Sequence, residues 1–229
     1  MPDGLIKAAI EGARDFDNCP VRPLGHSGAV YYYLSPCGEL RKLTHRDHAA
    51  TGILSLFDGD MAWLEKNFPR FDREGEVAGY KREKAAAWLM KACAGSGLFD
   101  LEKVLRGPGA WRDEAGGLIL HCGDRIRLPG GEWQAAGCYL DGHIYPASAP
   151  EPRPAPIAAP AAEVAGLLEL LKTWNWRDPE TDPRLFLGWI GAAMLAGALR
   201  WRPHIWVTGD RGSGKSTLLS VAAGLIKPD

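Results

Sequence analysis

Apolar and polar positions keep two different rhythms along this chain. Up to roughly residue 145 the apolar runs are short and broken by glycine-containing turns. A first helix is predicted over 5–13, and a hairpin over 29–34 and 39–43, joined by Ser35-Pro36-Cys37-Gly38. Helices are predicted over 45–56, 60–68 and 81–94, with short strands around 111–112, 118–122, 125–128 and 133–145. Further on, Val164, Leu167, Leu168 and Leu171 fall at i, i+3, i+4 and i+7, the spacing of one buried helical face. A turn-rich break at 177–183 precedes an apolar helix ending at Leu199, expected to be buried. Pro203 opens a β-branched and aromatic run, 204–208, of the kind that forms a buried parallel strand, and 217–226 reads as a helix.

The two textures are separated by 146–160, six of whose fifteen residues are proline. Proline removes a backbone donor and fixes φ, so this stretch is predicted to be an extended linker without helix or central strand. The resulting fold class is an α+β leader domain over 1–145, a proline-rich linker over 146–160, and over 161–229 a helical lead-in to the truncated start of an α/β phosphate-loop NTPase domain.

That last assignment rests on Gly209-Asp210-Arg211-Gly212-Ser213-Gly214-Lys215-Ser216, a complete Gly-x4-Gly-Lys-Ser loop between a predicted strand and a predicted helix. Glycines at 209, 212 and 214 let successive N–H groups converge on phosphate oxygens. The following helix adds its unpaired first-turn donors and the positive end of its dipole. Lys215 is the candidate catalytic residue, its ammonium set against the β and γ phosphates, and Ser216 is the candidate Mg²⁺ ligand. Ser213 and Thr217 are lesser contributors to the nucleotide site, and ATP with Mg²⁺ are the cofactors implied. Hydrolysis would further require an acidic residue at the end of another strand. None follows the loop helix before Asp229, so the expectation is the N-terminal portion of a longer ATPase, binding nucleotide weakly by itself.

Composition narrows the remaining choices. With 46% hydrophobic and 24% charged residues the 229-residue chain has the make-up of a globular protein. A net charge of −1 gives no overall footprint for nucleic acid, so DNA contact would need a local patch. Cys19, Cys37, Cys93, Cys122 and Cys138 are odd in number and contain no Cys-x-x-Cys pair, which fits reduced thiols in the cytoplasm. The N-terminus lacks the basic start and apolar core of a secretory signal. The most apolar segment, 185–199, is too short to cross a bilayer.

Other clusters have plainer readings beside their chemical ones. Asp58 and Asp60 could share a metal from one strand face, but their flanks suggest a turn in which Asp60 caps the next helix. His45 and His48 stand at i and i+3 of a predicted solvated helix start, and no ligand spacing links His121, Cys122 or His143. Lys81, Arg82 and Lys84, and Arg41, Lys42 and Arg46, lie near Tyr80, Trp88 and Tyr33, the mixture of charge and stacking that grips single strands, the plainer reading being the solvated face of a helix. Trp63, Trp88, Trp189 and Trp206 are predicted to point inward.

The order of leader, proline-rich linker, two helices and Arg200-Trp201-Arg202-Pro203 leading into the loop resembles prophage- and plasmid-borne primase–helicase proteins, most of it after residue 161. The stretch 109–124 is similar to the region ahead of the ATPase in such proteins. The resemblance implies a ring-forming homo-oligomeric, DNA-dependent ATPase with no membrane association. Two alternatives stand beside it. The run from Gly212 to Leu219 is equally at home in transporter-type ATPases, and the chain could be a non-catalytic interaction module.

Overall fold

The structure is a computed structural model and describes residues 18–226, so the helix expected over 5–13 lies outside the described residues. In chain order its elements begin with β1 (Arg22–Ser27), β2 (Val30–Leu34), β3 (Leu40–Thr44), α1 (Ala50–Leu56) and α2 (Ala62–Asn67). There follow β4 (Pro69–Phe71), β5 (Val77–Tyr80), α3 (Arg82–Ser96), α4 (Leu101–Val104), β6 (Gly109–Arg112), β7 (Leu118–His121) and β8 (Arg125–Arg127). β9 (Trp133–Ala135), β10 (Cys138–Leu140), β11 (His143–Tyr145), α5 (Ala161–Lys172), α6 (Asp182–Met194) and α7 (Lys215–Ile226) complete the described chain. The proline-rich stretch 146–160 holds no helix or strand.

Packing divides the described chain into two compact units interleaved in sequence, one of 18–107, 123–125 and 135–149, the other of 108–122, 126–134 and 150–226. In the first, β1, β2 and β3 form an antiparallel sheet in that order. Strand side chains alternate between faces, and this splits the tyrosine triplet. Tyr31 and Tyr33 face Leu43, Ile53, Phe57, Leu64 and Leu89, while Tyr32 faces Leu34, Phe99 and Ile144. Both faces are therefore covered, one by α1, α2 and α3, the other by the segment around α4 and by the β10–β11 hairpin. The helix expected from residue 45 begins at Ala50. The Asp47 carboxylate accepts from Thr44 N–H at 2.8 Å and from Thr44 Oγ1–H at 2.6 Å, and that local turn competes with helix.

In the second unit β6, β7, β8 and β9 form a four-stranded sheet in sequence order. Three helices meet on a separate core of Leu171 from α5, Phe186 and Ile190 from α6, and Leu218 and Ala222 from α7. The apolar helix expected over 185–199 stops at Met194 and gives way to turns. Nor is it buried all round: Leu185 is 63% exposed, and the buried residues of α6 are Pro183, Phe186 and Ile190. Gly197 lies against the Ala110 carbonyl, where a Cβ would collide, so the turn after α6 can reach the sheet only with glycine there.

Candidate nucleotide-binding loop

The run 203–208 lies extended, with Pro203, Ile205 and Val207 half-buried and His204, Trp206 and Thr208 exposed. Ile205 and Val207 pack on the three-helix core, and Trp189 Nε1–H donates to Pro203 O at 3.2 Å, fixing the start of the run to α6. Two expectations need correction. The run has the alternation of a strand but is not assigned as one, because it has no ladder partner among the described residues. Trp206 points outward at 90% exposure, since a single extended segment with one covered face leaves alternate residues in water.

From Gly209 the chain turns sharply into α7. Gly212 and Gly214 have φ of 83° and 80°, the left-handed region in which a side chain is strained. The Lys215 ammonium folds back over the turn and donates to Gly209 O at 2.8 Å, Asp210 O at 2.7 Å and Ser213 Oγ at 3.2 Å. All three of its donors are thereby used to hold the loop closed on itself. An arriving phosphate oxygen would exchange for one or more of these acceptors, and the charge would stay in place.

At the helix start, Leu218 N–H donates to Gly214 O at 2.9 Å, the first i→i−4 bond of α7. The N–H groups of Gly214, Lys215, Ser216 and Thr217 precede it and are the four donors a helix N-terminus leaves without intrahelical partners. Four such donors, the positive end of the α7 dipole and one ammonium suit an anion. Ser216 and Thr217 are exposed in the first turn, and Ser216 is where a Mg²⁺ ligand would stand. Asp210 and Arg211 are exposed at the tip. The nine residues singled out from the sequence are thus continuous in space, and Lys215 joins Gly209, Asp210 and Ser213 directly.

One participant was not foreseen. Trp174, forty residues upstream, donates its indole Nε1–H to Gly214 O at 3.1 Å, and a Cβ on Gly214 would come within 2.9 Å of that nitrogen. A tryptophan two residues beyond an amphipathic helix carries no local sign of such a role. Only the fold brings it to the loop.

The other clusters prove structural. Asp58 Oδ2 accepts from Cys37 N–H at 2.8 Å, with Arg41 3.5 Å from its other oxygen, and Asp60 accepts from Ala62 N–H at 2.8 Å, just ahead of α2. His48 is 5% exposed. Its Nδ1–H donates to Thr44 O at 2.8 Å, which leaves Nε2 to accept from Tyr33 O–H at 2.8 Å. Burial holds its pKa below the ordinary histidine value, against the opposing pull of the Thr44 carbonyl and Asp47. His143 Nε2 lies 2.8 Å from Arg106 Nη2, a pairing in which the guanidinium donates. Among the described residues no group of three or more His, Cys, Asp or Glu side chains is placed to hold a metal ion.

The aromatics next to the leader's basic clusters are unavailable for stacking. Tyr33 and Tyr80 are buried and Trp88 packs against the core, while Arg41 is paired with Glu39 at 2.7 Å. Exposed aromatic surface with basic neighbours in sequence occurs at Phe71, 55% exposed between Arg70 and Arg73, and more fully at Arg200, Trp201, Arg202 and Trp206, the two tryptophans being 74% and 90% exposed. Comparison with protein-family models, with curated proteins and with solved structures gives no match. No described helix is long and apolar enough to cross a membrane.

Proposed function

We propose that residues 209–217 bind the polyphosphate of a nucleoside triphosphate, ATP with Mg²⁺, and that the chain serves a DNA-dependent ATPase of the primase–helicase kind. The observation that carries the first half is the Lys215 ammonium held against Gly209 O and Asp210 O above a helix start whose first donors have no intrahelical partner. In this reading the N–H groups of 214–217 hold phosphate oxygens, Lys215 neutralises their charge, and Ser216 Oγ ligates the metal. ATP supplies the phosphoryl group and Mg²⁺ neutralises charge on it.

The DNA half rests on the sequence resemblance and on Arg200 and Arg202, which flank the exposed Trp201 in sequence, with Trp206 a second exposed indole able to stack on bases. Assembly as a homo-oligomeric ring, and a cytoplasmic setting suited to an odd number of cysteines without a Cys-x-x-Cys pair, belong to the same proposal. Titration with a fluorescent ATP analogue, with and without Mg²⁺ and single-stranded DNA, tests it. Binding that needs Lys215, and that DNA alters through Trp206, is the expected result. Nucleotide binding indifferent to any DNA would remove the second half and leave the first.

A further inference from the structure

We infer that Trp174 is a positioning residue for the phosphate loop, acting on the orientation of the Gly214–Lys215 peptide; the inference rests on the proposal that 209–217 binds a polyphosphate. The geometry is specific. A trans peptide is planar, so the carbonyl of Gly214 and the N–H of Lys215 point in opposite directions. The Gly214 carbonyl is held twice, by Leu218 N–H at 2.9 Å from within α7 and by the Trp174 indole at 3.1 Å from outside it. Two bonds on the oxygen leave the peptide plane little freedom to rotate, and the Lys215 N–H is thereby kept pointing out of the helix start, away from the carbonyl's partners.

Trp174 is itself well placed to act as a fixed post. Its own N–H reaches Leu171 O at 3.3 Å, and Leu171 is fully buried in the core shared by α5, α6 and α7. The indole packs half-buried on that core. Besides Ile205, Val207 and Leu218 on either side of the loop, the core thus reaches the loop through this side chain, which crosses from the end of α5 to the start of α7. Gly214 completes the arrangement, since the indole nitrogen occupies the place its Cβ would take. No such support is needed for the loop merely to turn. Beyond its share in folding stability, it aims a donor, and ligand binding reads that second effect.

The test compares the wild-type protein with Trp174→Phe and Lys215→Ala, measuring the dissociation constants of Mg²⁺–ATP and of tripolyphosphate alongside the thermal unfolding midpoint. Phenylalanine keeps the ring packing and removes the N–H. Binding of both ligands about fivefold to tenfold weaker in Trp174→Phe, with the midpoint lowered by no more than about 2–4 °C, supports the inference, those being the factor one aimed hydrogen bond carries and the shift that one lost neutral bond produces. Binding equal to wild type in Trp174→Phe, with Lys215→Ala deficient, overturns it and leaves the phosphate loop standing. If the wild type binds neither ligand, the loop reading and the inference fall together. Should Trp174→Phe unfold, NMR on the wild-type chain decides. The indole proton that contacts Gly214 must shift as Mg²⁺–ATP is added, and an unmoved resonance at saturation overturns the inference.

Discussion

Replacing Gly214 by alanine separates two costs that are normally confounded, because Gly212 in the same turn bears only one of them. Both residues have φ near 80°, so alanine at either position takes on the left-handed penalty of about 1–2 kcal/mol. At 212 nothing lies within 4 Å of the added methyl. At 214 the methyl would sit 2.9 Å from Trp174 Nε1, closer than a methyl and a ring nitrogen can approach. The indole must retreat, and its bond to Gly214 O, about 1 kcal/mol net for a neutral hydrogen bond, is lost with it. Gly212→Ala should therefore destabilise by about 1–2 kcal/mol and Gly214→Ala by about 2–3 kcal/mol. In a Trp174→Phe background the difference between them should shrink, since the bond is already gone. Urea unfolding followed by circular dichroism measures the two alanine variants in both backgrounds against their two parents. Equal destabilisation by the two alanines, or a difference that survives in the Trp174→Phe background, would show that the indole does not constrain the loop.

Further outcomes follow from the same structure. Leu218→Ala removes a side chain 2% exposed at the centre of the three-helix core and should cost about 2–5 kcal/mol by urea unfolding. Tyr33→Phe leaves the buried His48 Nε2 without its donor and should cost about 1–3 kcal/mol, whereas Tyr33→Phe with His48→Phe should cost less than the sum of the two single changes. His48 also sets a pH dependence. Its folded pKa lies below the unfolded value of about 6.5, so the unfolded chain binds a proton that the folded chain refuses, and stability declines as pH falls below about 6.5, by at most about 1.4 kcal/mol per pH unit. Urea midpoints at about pH 7.5 and 5.5 should differ in the wild type, and the histidine's share of that difference should vanish in His48→Phe.

The parts legible in the sequence were those whose signal is local. The hairpin of β2 and β3 follows from alternating residues around a glycine turn, and α3 and α5 from helical spacing. The loop at 209–216 is legible because backbone geometry asks for its glycines and a cation reaching back over the turn asks for its lysine, all within eight residues. β1 went unread because Pro23 and Gly25 break its pattern, and its register in fact shifts between them. The β4–β5 hairpin is three residues against four, with Pro69 and Gly79 inside it, too short and too interrupted for periodicity to register. Trp206 was misread because which face of an extended segment is buried depends on what packs beside it, and that information lies in α6 and α7. Trp174 shows the same limit at the site itself, since its role exists only once the end of α5 meets the start of α7.

The central claim is that the turn ending in Lys215 and Ser216 holds the phosphates of a nucleotide. Isothermal titration of Mg²⁺–ATP into the wild-type protein and Lys215→Ala tests it most directly. A saturable exothermic site in the wild type, weakened at least about tenfold by loss of the ammonium, is the result predicted for a charge-assisted contact. No binding to the wild type, or the same affinity in both proteins, would contradict it.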